Sequence, residues 1–201
     1  MLLAFDTSSA ACTVALFDGS GACIRSVDEE IGRGHAERLV PMIADLLDGT
    51  RPGHVLVGVG PGSFTGIRVG IAAAHGLAIG WGAQLAGMSS LALLAAGANG
   101  EDVAAAVIGG HGELFVQEFN ERGGPLSAVQ SLVPLEAAAR IKAELVVGSG
   151  ARQLIEARGW GEAREAFPSA RDALKVPQAL RETPAKPVYA RAPDAKAKEA
   201  A

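Results

Sequence analysis

The stretch "VGVGPGSFTGIRVG", Val57–Gly70, holds five glycines and a proline in fourteen residues. A glycine-rich turn between an apolar strand and a helix is a common cradle for phosphate, so the known phosphate loops set the first test. A Walker loop needs a glycine, four free positions and then Gly-Lys-Ser/Thr, with the lysine on the β- and γ-phosphates. Five residues past Gly60 stands Thr65, five past Gly62 stands Ile67, and the segment has no lysine. The dinucleotide fingerprint G-x-G-x-x-G fails as well, because Ser63, Phe64 and Thr65 separate Gly62 from Gly66. The residues predict instead a short buried strand, a sharp Gly-Pro-Gly turn, and a helix from Ser63 to about Gly80.

On a 100° wheel that helix is apolar on two sides. Phe64, Ile67, Ile71 and Ala78 suit packing on a sheet, whereas Gly66, Gly70, Ala73, Leu77 and Gly80 form a nearly flat face. A glycine inside a helix costs about 1 kcal/mol relative to alanine, and close approach of another backbone is the usual offset. Two readings stay open. The flat face receives a helix of the same chain, such as His35–Asp48, or it meets a second subunit, since one sheet covers only one side of an all-apolar helix.

The rest of the chain reads as two similar halves. "LLAF" into Asp6, "CTVALF" and "ACIRSV" are strands, the last two joined by the turn "DGSG". "GHAERLVPMIADLLDG" has helical spacing at Leu39, Ile43, Leu46 and Leu47, with a kink expected at Pro41 and a stop at Gly49. Ser89 or Ser90 can cap a third helix, "LALLAAGA". The second half follows with strands "VAAAVIGG", "ELFVQEF" and "LSAVQSLV", a helix from Pro134 to about Ile141, strand "ELVVGSG", and a helix from about Ala151. The pattern strand-strand-strand-helix-strand-helix thus occurs twice. It predicts two α/β lobes with mixed sheets flanked by helices, at residues 1–100 and 101–185, and a Pro/Ala/Lys-rich tail at 186–201 that is partly disordered.

Composition narrows the function. Aromatics are only 4% against 49% hydrophobic residues, so the core is built from Ala, Val, Leu and Ile. A formal charge of −4 gives no general attraction to nucleic acid. The two cysteines, Cys12 and Cys23, read as reduced core thiols of a cytoplasmic protein rather than a disulfide framework. "MLLAFDTSS" lacks a basic n-region, and Val69–Ala83 contains His75 and falls short of a membrane span.

"AFDTSSAACTVAL", "HAERLVPMI", "GVGPGSFTGIRVG" and "PVYAR", in that order, resemble the TsaB (YeaZ) family. The likeness is dense over residues 1–95, thin from about 100 to 180, and returns at Pro187–Arg191. It implies two ribonuclease-H-like lobes of the actin, sugar-kinase and Hsp70 superfamily. It also implies a non-catalytic scaffold subunit of the tRNA threonylcarbamoyladenosine-forming machinery. The implied partners are a TsaD-like transferase, which the subunit activates, a TsaE-like ATPase, and a second copy of itself when alone. tRNA is reached only through the complex, and no membrane is involved. The implied interface is the first two helices, with His35, Leu39, Met42, Ile43 and Leu46 on one and Gly66, Val69, Gly70, Ala73 and Leu77 on the other.

Chemistry of the chain's own is the alternative: an ATPase or phosphotransferase of the actin-like superfamily using Asp6, Thr7 and Ser8 beside a phosphate. Against it, a strand-end Asp bonding backbone N–H groups in its own turn explains the same residues, and that reading weighs more. The matching end of the second lobe's first strand reads Gly109-Gly110-His111, without the carboxylate that a metal–phosphate site needs and where family members usually carry Asp-Ala-Arg. The transferase's His-x-x-x-His metal pair is broken, with Leu39 four residues after His35, and His54, His75 and His111 are isolated. Neither H-E-x-x-H nor G-x-S-x-G occurs, so nothing carries a peptidase reading. No catalytic residue, no metal and no cofactor of its own are therefore expected. ATP or ADP at a partner interface stays open, as does contact of tRNA with Lys186, Arg191, Lys196 and Lys198, which read first as solvated charges.

Overall fold

The structure is a computed structural model, and it describes residues 1–98 and 100–190. An antiparallel meander opens the chain, with β1 at Leu2–Asp6, β2 at Ala11–Phe17 and β3 at Cys23–Glu30. Two strands then join β1 on its other side in parallel, β4 at His54–Gly58 and β5 at Gln84–Met88. Parallel pairing requires crossovers, and α1 (His35–Leu47) and α2 (Phe64–Trp81) supply them. The sheet order is β3-β2-β1-β4-β5.

After α3 (Ser90–Ala96) the second half repeats the plan. Its strands are β6 (Val103–Gly110), β7 (Glu113–Phe119), β8 (Gln130–Leu132), β9 (Leu145–Val147) and β10 (Glu162–Arg164), with α4 (Pro134–Arg140) and α5 (Ala151–Arg158) as crossovers. The order β8-β7-β6-β9-β10 is the first sheet's order again, with β9 and β10 parallel to β6. The doubled, mixed, helix-flanked sheet gives two lobes of ribonuclease-H-like topology.

Three apolar layers hold it. Leu91, Leu93 and Leu94 of α3 lie between the sheets, against Ala4, Phe17 and Met88 on one side and Val103, Phe119 and Val147 on the other. The outer face of the first sheet, with Leu3, Phe5, Val14, Val55 and Val57, packs under α1 and α2. The outer face of the second, with Ala104, Leu114 and Val146, packs under α4 and α5.

Helix ends follow the expected chemistry. Ser63 Oγ accepts from the Gly66 N–H at 3.2 Å, and Ser89, rather than Ser90, caps α3 through the Ala92 N–H at 3.2 Å. Helix α1 continues through Pro41 to a left-handed Asp48, with Gly49 following at positive φ. Two expectations need correction, and one strand was not anticipated. Cys23 is exposed, so only Cys12 is a core thiol; both are free. Strand β10, fully exposed and three residues long, carries no alternation to reveal it. The segment after it does not stay with the second lobe. Ala170, Ala173 and Val176, in and just after a 3₁₀ turn at Ala170–Lys175, join the inter-sheet core. The Ala170 N–H bonds Thr13 Oγ1 at 2.7 Å, and α6 (Gln178–Arg181) leads to Thr183, which bridges Gly87 beside β5. The first seven residues of the Pro-rich stretch that begins at Pro184 are then laid along the first lobe, with the Val188 N–H donating to Val59 O at 2.8 Å. Arg191, Lys196 and Lys198 lie outside the described residues.

Candidate functional site

The glycine stretch and the Asp6-Thr7-Ser8 turn are two halves of one interlock. A Cβ on Gly58 would stand 1.8 Å from Asp6 Oδ2, one on Gly62 2.2 Å from Ser8 O, one on Gly66 1.9 Å from Thr7 O, and one on Gly70 2.5 Å from Thr7 Oγ1. Four glycines spaced by four residues thus admit three consecutive residues of the turn. Hydrogen bonds fix the seat. Thr7 Oγ1 donates to Gly66 O at 2.7 Å, and the Ser63 N–H donates to Ser8 O at 2.6 Å. Gly60 and Gly62 take the positive φ values, 97° and 157°, that the turn between β4 and α2 requires.

Asp6 is fully buried in this interlock. Its Oδ1 accepts from both the N–H and Oγ–H of Ser8 at 2.7 Å, and its Oδ2 from Ser90 Oγ at 2.5 Å. Ser90 Oγ in turn accepts from the Gly60 N–H at 3.0 Å. The carboxylate therefore ties the end of β1 to the β4–α2 turn and to the start of α3. Both oxygens face donors of the chain itself, and Thr7 and Ser8 are buried with it. Backbone N–H groups that an anion at the start of α2 would need, at Ser63 and Gly66, already donate to Ser8 O and Ser63 Oγ.

The faces of α2 are assigned differently from the wheel reading. Gly66 and Gly70 are buried against Thr7, so they cannot form a surface for a second molecule. Val69, Ala73 and Leu77 are half-buried and pack on the cluster that contains α1's Leu39, Met42, Ile43 and Leu46. On α1, His35, Leu39, Met42, Ile43 and Leu46 are all buried, and His35 Nε2 lies 3.4 Å from Ala11 O. The expectation that these five and the two glycines meet a partner is thus corrected: helical apolar spacing marks the side that meets the chain's own sheet.

A different set faces outward. Thr65, Ala72, Gly76, Ile79 and Gly80 of α2 are exposed, as are Ala36, Val40 and Ala44 of α1. Nothing lies within 4 Å of a Cβ on Gly76 or Gly80. Ile79 is 81% exposed and Val40 53%. The strip 65–72–76–79–80 carries no charge, with exposed Arg68 and His75 along one margin. Its signal in the sequence was the weak one of small residues at helical spacing, on the side opposite Ile67, Ile71, Ala74 and Ala78.

The hydrogen bonds of Asp6 go to Ser8 and Ser90, both of the first lobe. His111 sits at φ 54° in the β6–β7 turn, His54 opens β4, and His75 Nε2 lies 3.4 Å from Ala185 O. Among the described residues, no three His, Cys, Asp or Glu side chains converge as a metal site, and no helix is long and apolar enough to cross a membrane.

The fold and this site define a class: a two-lobed ribonuclease-H-like protein whose second helix shows an exposed, uncharged strip, bordered by exposed Arg68 and, on α1, by exposed Glu37 and Asp45. A model of TsaD, tRNA N6-adenosine threonylcarbamoyltransferase, matches residues 27–162. The tRNA threonylcarbamoyladenosine biosynthesis protein TsaB of Escherichia coli (strain K12) is 40% identical over 130 residues, 59% of this chain and 54% of that protein. Its counterpart in Haemophilus influenzae is 36% identical over 127 residues, 58% of this chain and 52% of that one. The match therefore spans about half the length of these relatives. Among solved structures, a Pseudomonas aeruginosa protein described as similar to peptidase YEAZ has a TM-score of 0.81 at 32% identity, covering 94% of this chain and 99% of that one. YeaZ from Pseudomonas aeruginosa has a TM-score of 0.78 at 31% identity, covering 94% and 98%. The chain belongs to the TsaB (YeaZ) family.

Proposed function

We propose that this chain is a non-catalytic subunit of the machinery that makes threonylcarbamoyladenosine in tRNA. It docks a TsaD-type transferase on the outer layer of α1 and α2 and enables it without supplying a reacting group. The observation that carries the reading is Gly76 and Gly80: each weakens α2 by about 1 kcal/mol relative to alanine, and a Cβ on either would meet nothing within 4 Å. A foreign helix pressed on the strip Thr65–Gly80 supplies the missing contact. When the chain is alone, a second copy covers the same layer. A TsaE-type ATPase joins the assembly, tRNA contacts the chain only within it, and any ATP or ADP binds between subunits.

The absence of catalysis is supported by the geometry of Asp6, whose oxygens are already bonded to Ser8 and Ser90. Co-purification of the chain with the TsaD-family subunit of the same organism tests the role, read by the mass of the complex and by tRNA modification with and without the chain. The expected outcome is a stable complex and a transferase that depends on it. Calorimetry with ATP and magnesium on the isolated chain should give no heat; binding that disappears in Asp6→Asn would instead establish a nucleotide enzyme.

A further inference from the structure

The two short motifs farthest apart in the sequence meet at the start of α2. Tyr189 of "PVYAR" lies over Phe64 of "GSFTGIR", with ring centroids 5.6 Å apart and planes 31° from parallel. The guanidinium of Arg68 stacks on Phe64, its Cζ 3.6 Å from the ring centroid and 6.0 Å from that of Tyr189. Its Nε donates to the Tyr189 hydroxyl at 3.2 Å. Phe64 is 54% exposed and Tyr189 43%, and Arg68 is exposed with them. The ion pairs among the described residues, such as Arg38 with Glu29 and Arg152 with Glu165, lie elsewhere, and none involves Arg68.

Such an arrangement presents an edge rather than a face. Arg68 stacks on Phe64 and Tyr189 lies tilted against the same ring, so both aromatic residues are engaged by neighbours of the chain itself. The guanidinium is held by a ring and, through Nε, by a hydroxyl, and among the described residues its Nη donors make no hydrogen bond or ion pair. A preorganised fork loses little freedom when it engages a planar two-oxygen acceptor, which is what a carboxylate offers. Lys186, on the strap that carries Tyr189, is exposed and adds positive charge to this end of the molecule. The chain as a whole is negative at −4, which disfavours a long phosphodiester track and favours a single acidic group. The cluster borders the strip that begins at Thr65, one residue from Phe64.

We propose that Phe64, Arg68 and Tyr189 form a receptor for an acidic side chain, Asp or Glu, of the subunit that packs on α1 and α2. This rests on the function proposed above and assigns a specificity contact within it. Arg and aromatic side chains at the margin of an apolar patch match the composition of interface hot spots, and a charge at that margin sets orientation and partner choice.

The test measures the affinity of the TsaD-family subunit of the same organism for four forms of the chain, across a salt series. Those forms are wild type, Arg68→Gln, Arg68→Lys and Gly76→Leu, and each is also melted alone. The expected result is that Arg68→Gln weakens binding about 10-fold and flattens its salt dependence. Arg68→Lys should recover the salt slope but only part of the affinity, with all melting points close to wild type. Wild-type affinity and salt slope in Arg68→Gln, while Gly76→Leu does not bind, would overturn the acidic contact and leave the docking layer standing. Full binding by Gly76→Leu would overturn the docking layer first and this contact with it. A parallel melting loss in both Arg68 variants would mark the cluster as a structural clamp and overturn the receptor. Binding of inorganic pyrophosphate to the isolated wild-type chain, lost in Arg68→Gln, would reassign the fork to phosphate.

Discussion

The two lobes share a strand order but not a helical layer. In the first, the crossover helices run 13 and 18 residues; in the second, the equivalents run 7 and 8. The strand-to-helix turn is solved in both by glycine at positive φ. Gly62 admits Ser8 O, and Gly148, at φ 119°, sits where a Cβ would meet Ala106 O at 2.2 Å. What differs is the outside. Short α4 and α5 do little more than cover their sheet, whereas α2 spans the first sheet and shows a second side, an uncharged strip with Arg68 at its margin. On the function proposed above, the same fold unit serves once as a packing partner and once as a platform for another molecule.

The first lobe also contains its own contrast, between inward and outward glycines of one helix, and the variants follow from it. The largest effect belongs to the inward ones. Gly66→Val forces a side chain onto Thr7 O and should cost roughly 4 kcal/mol or more, read as a collapse of the urea midpoint. Asp6→Asn should cost roughly 2 kcal/mol, because one buried acceptor of Ser8 or Ser90 becomes a donor facing donors. Gly76→Ala should move stability the other way, raising it by about 1 kcal/mol in thermal melts of the monomer, since its Cβ enters open space. If Gly76→Ala destabilised as Gly66→Val does, the division of the helix into an inner and an outer glycine pair would be wrong.

The smallest effect near neutral pH comes from the cysteines. Burial, with Glu29 adding to it, pushes the Cys12 thiol up to about 11. A folded-state value above the unfolded one favours the neutral thiol, so its contribution to stability is complete below about pH 8.5 and is lost as pH rises toward 11. Alkylation at pH 8 should therefore label exposed Cys23 and spare Cys12 until the chain unfolds.

Much of the fold was legible because alternation and helical spacing are strong where a chain buries one side. The doubled order, the Ser caps and the Gly-Pro-Gly turn all came from such local signals. The faces of α2 were not legible, because Gly66 and Gly76 are the same residue type and only the course of the Asp6–Ser8 turn tells them apart. Apolar periodicity on α1 selected Leu39, Ile43 and Leu46, which is the selection a core makes. The outward set, Val40 and Ala44 with Ala72 and Gly76, has too little bulk to register as a pattern. The docking of Thr183–Tyr189 on the first lobe was hidden for another reason: its backbone bonds, at Gly87 and Val59, carry no side-chain signature, and its side-chain contacts, Thr183 with Gly87 and Tyr189 with Phe64 and Arg68, join residues far apart in sequence.

The central claim is that the outer side of α2 exists to be covered by another molecule. Its most direct test is the solution mass of an equimolar mixture of the TsaD-family subunit with Gly76→Leu, beside the wild-type mixture. The account expects a heterodimer for wild type and two separate, folded species for Gly76→Leu. A heterodimer of unchanged affinity in both would contradict it.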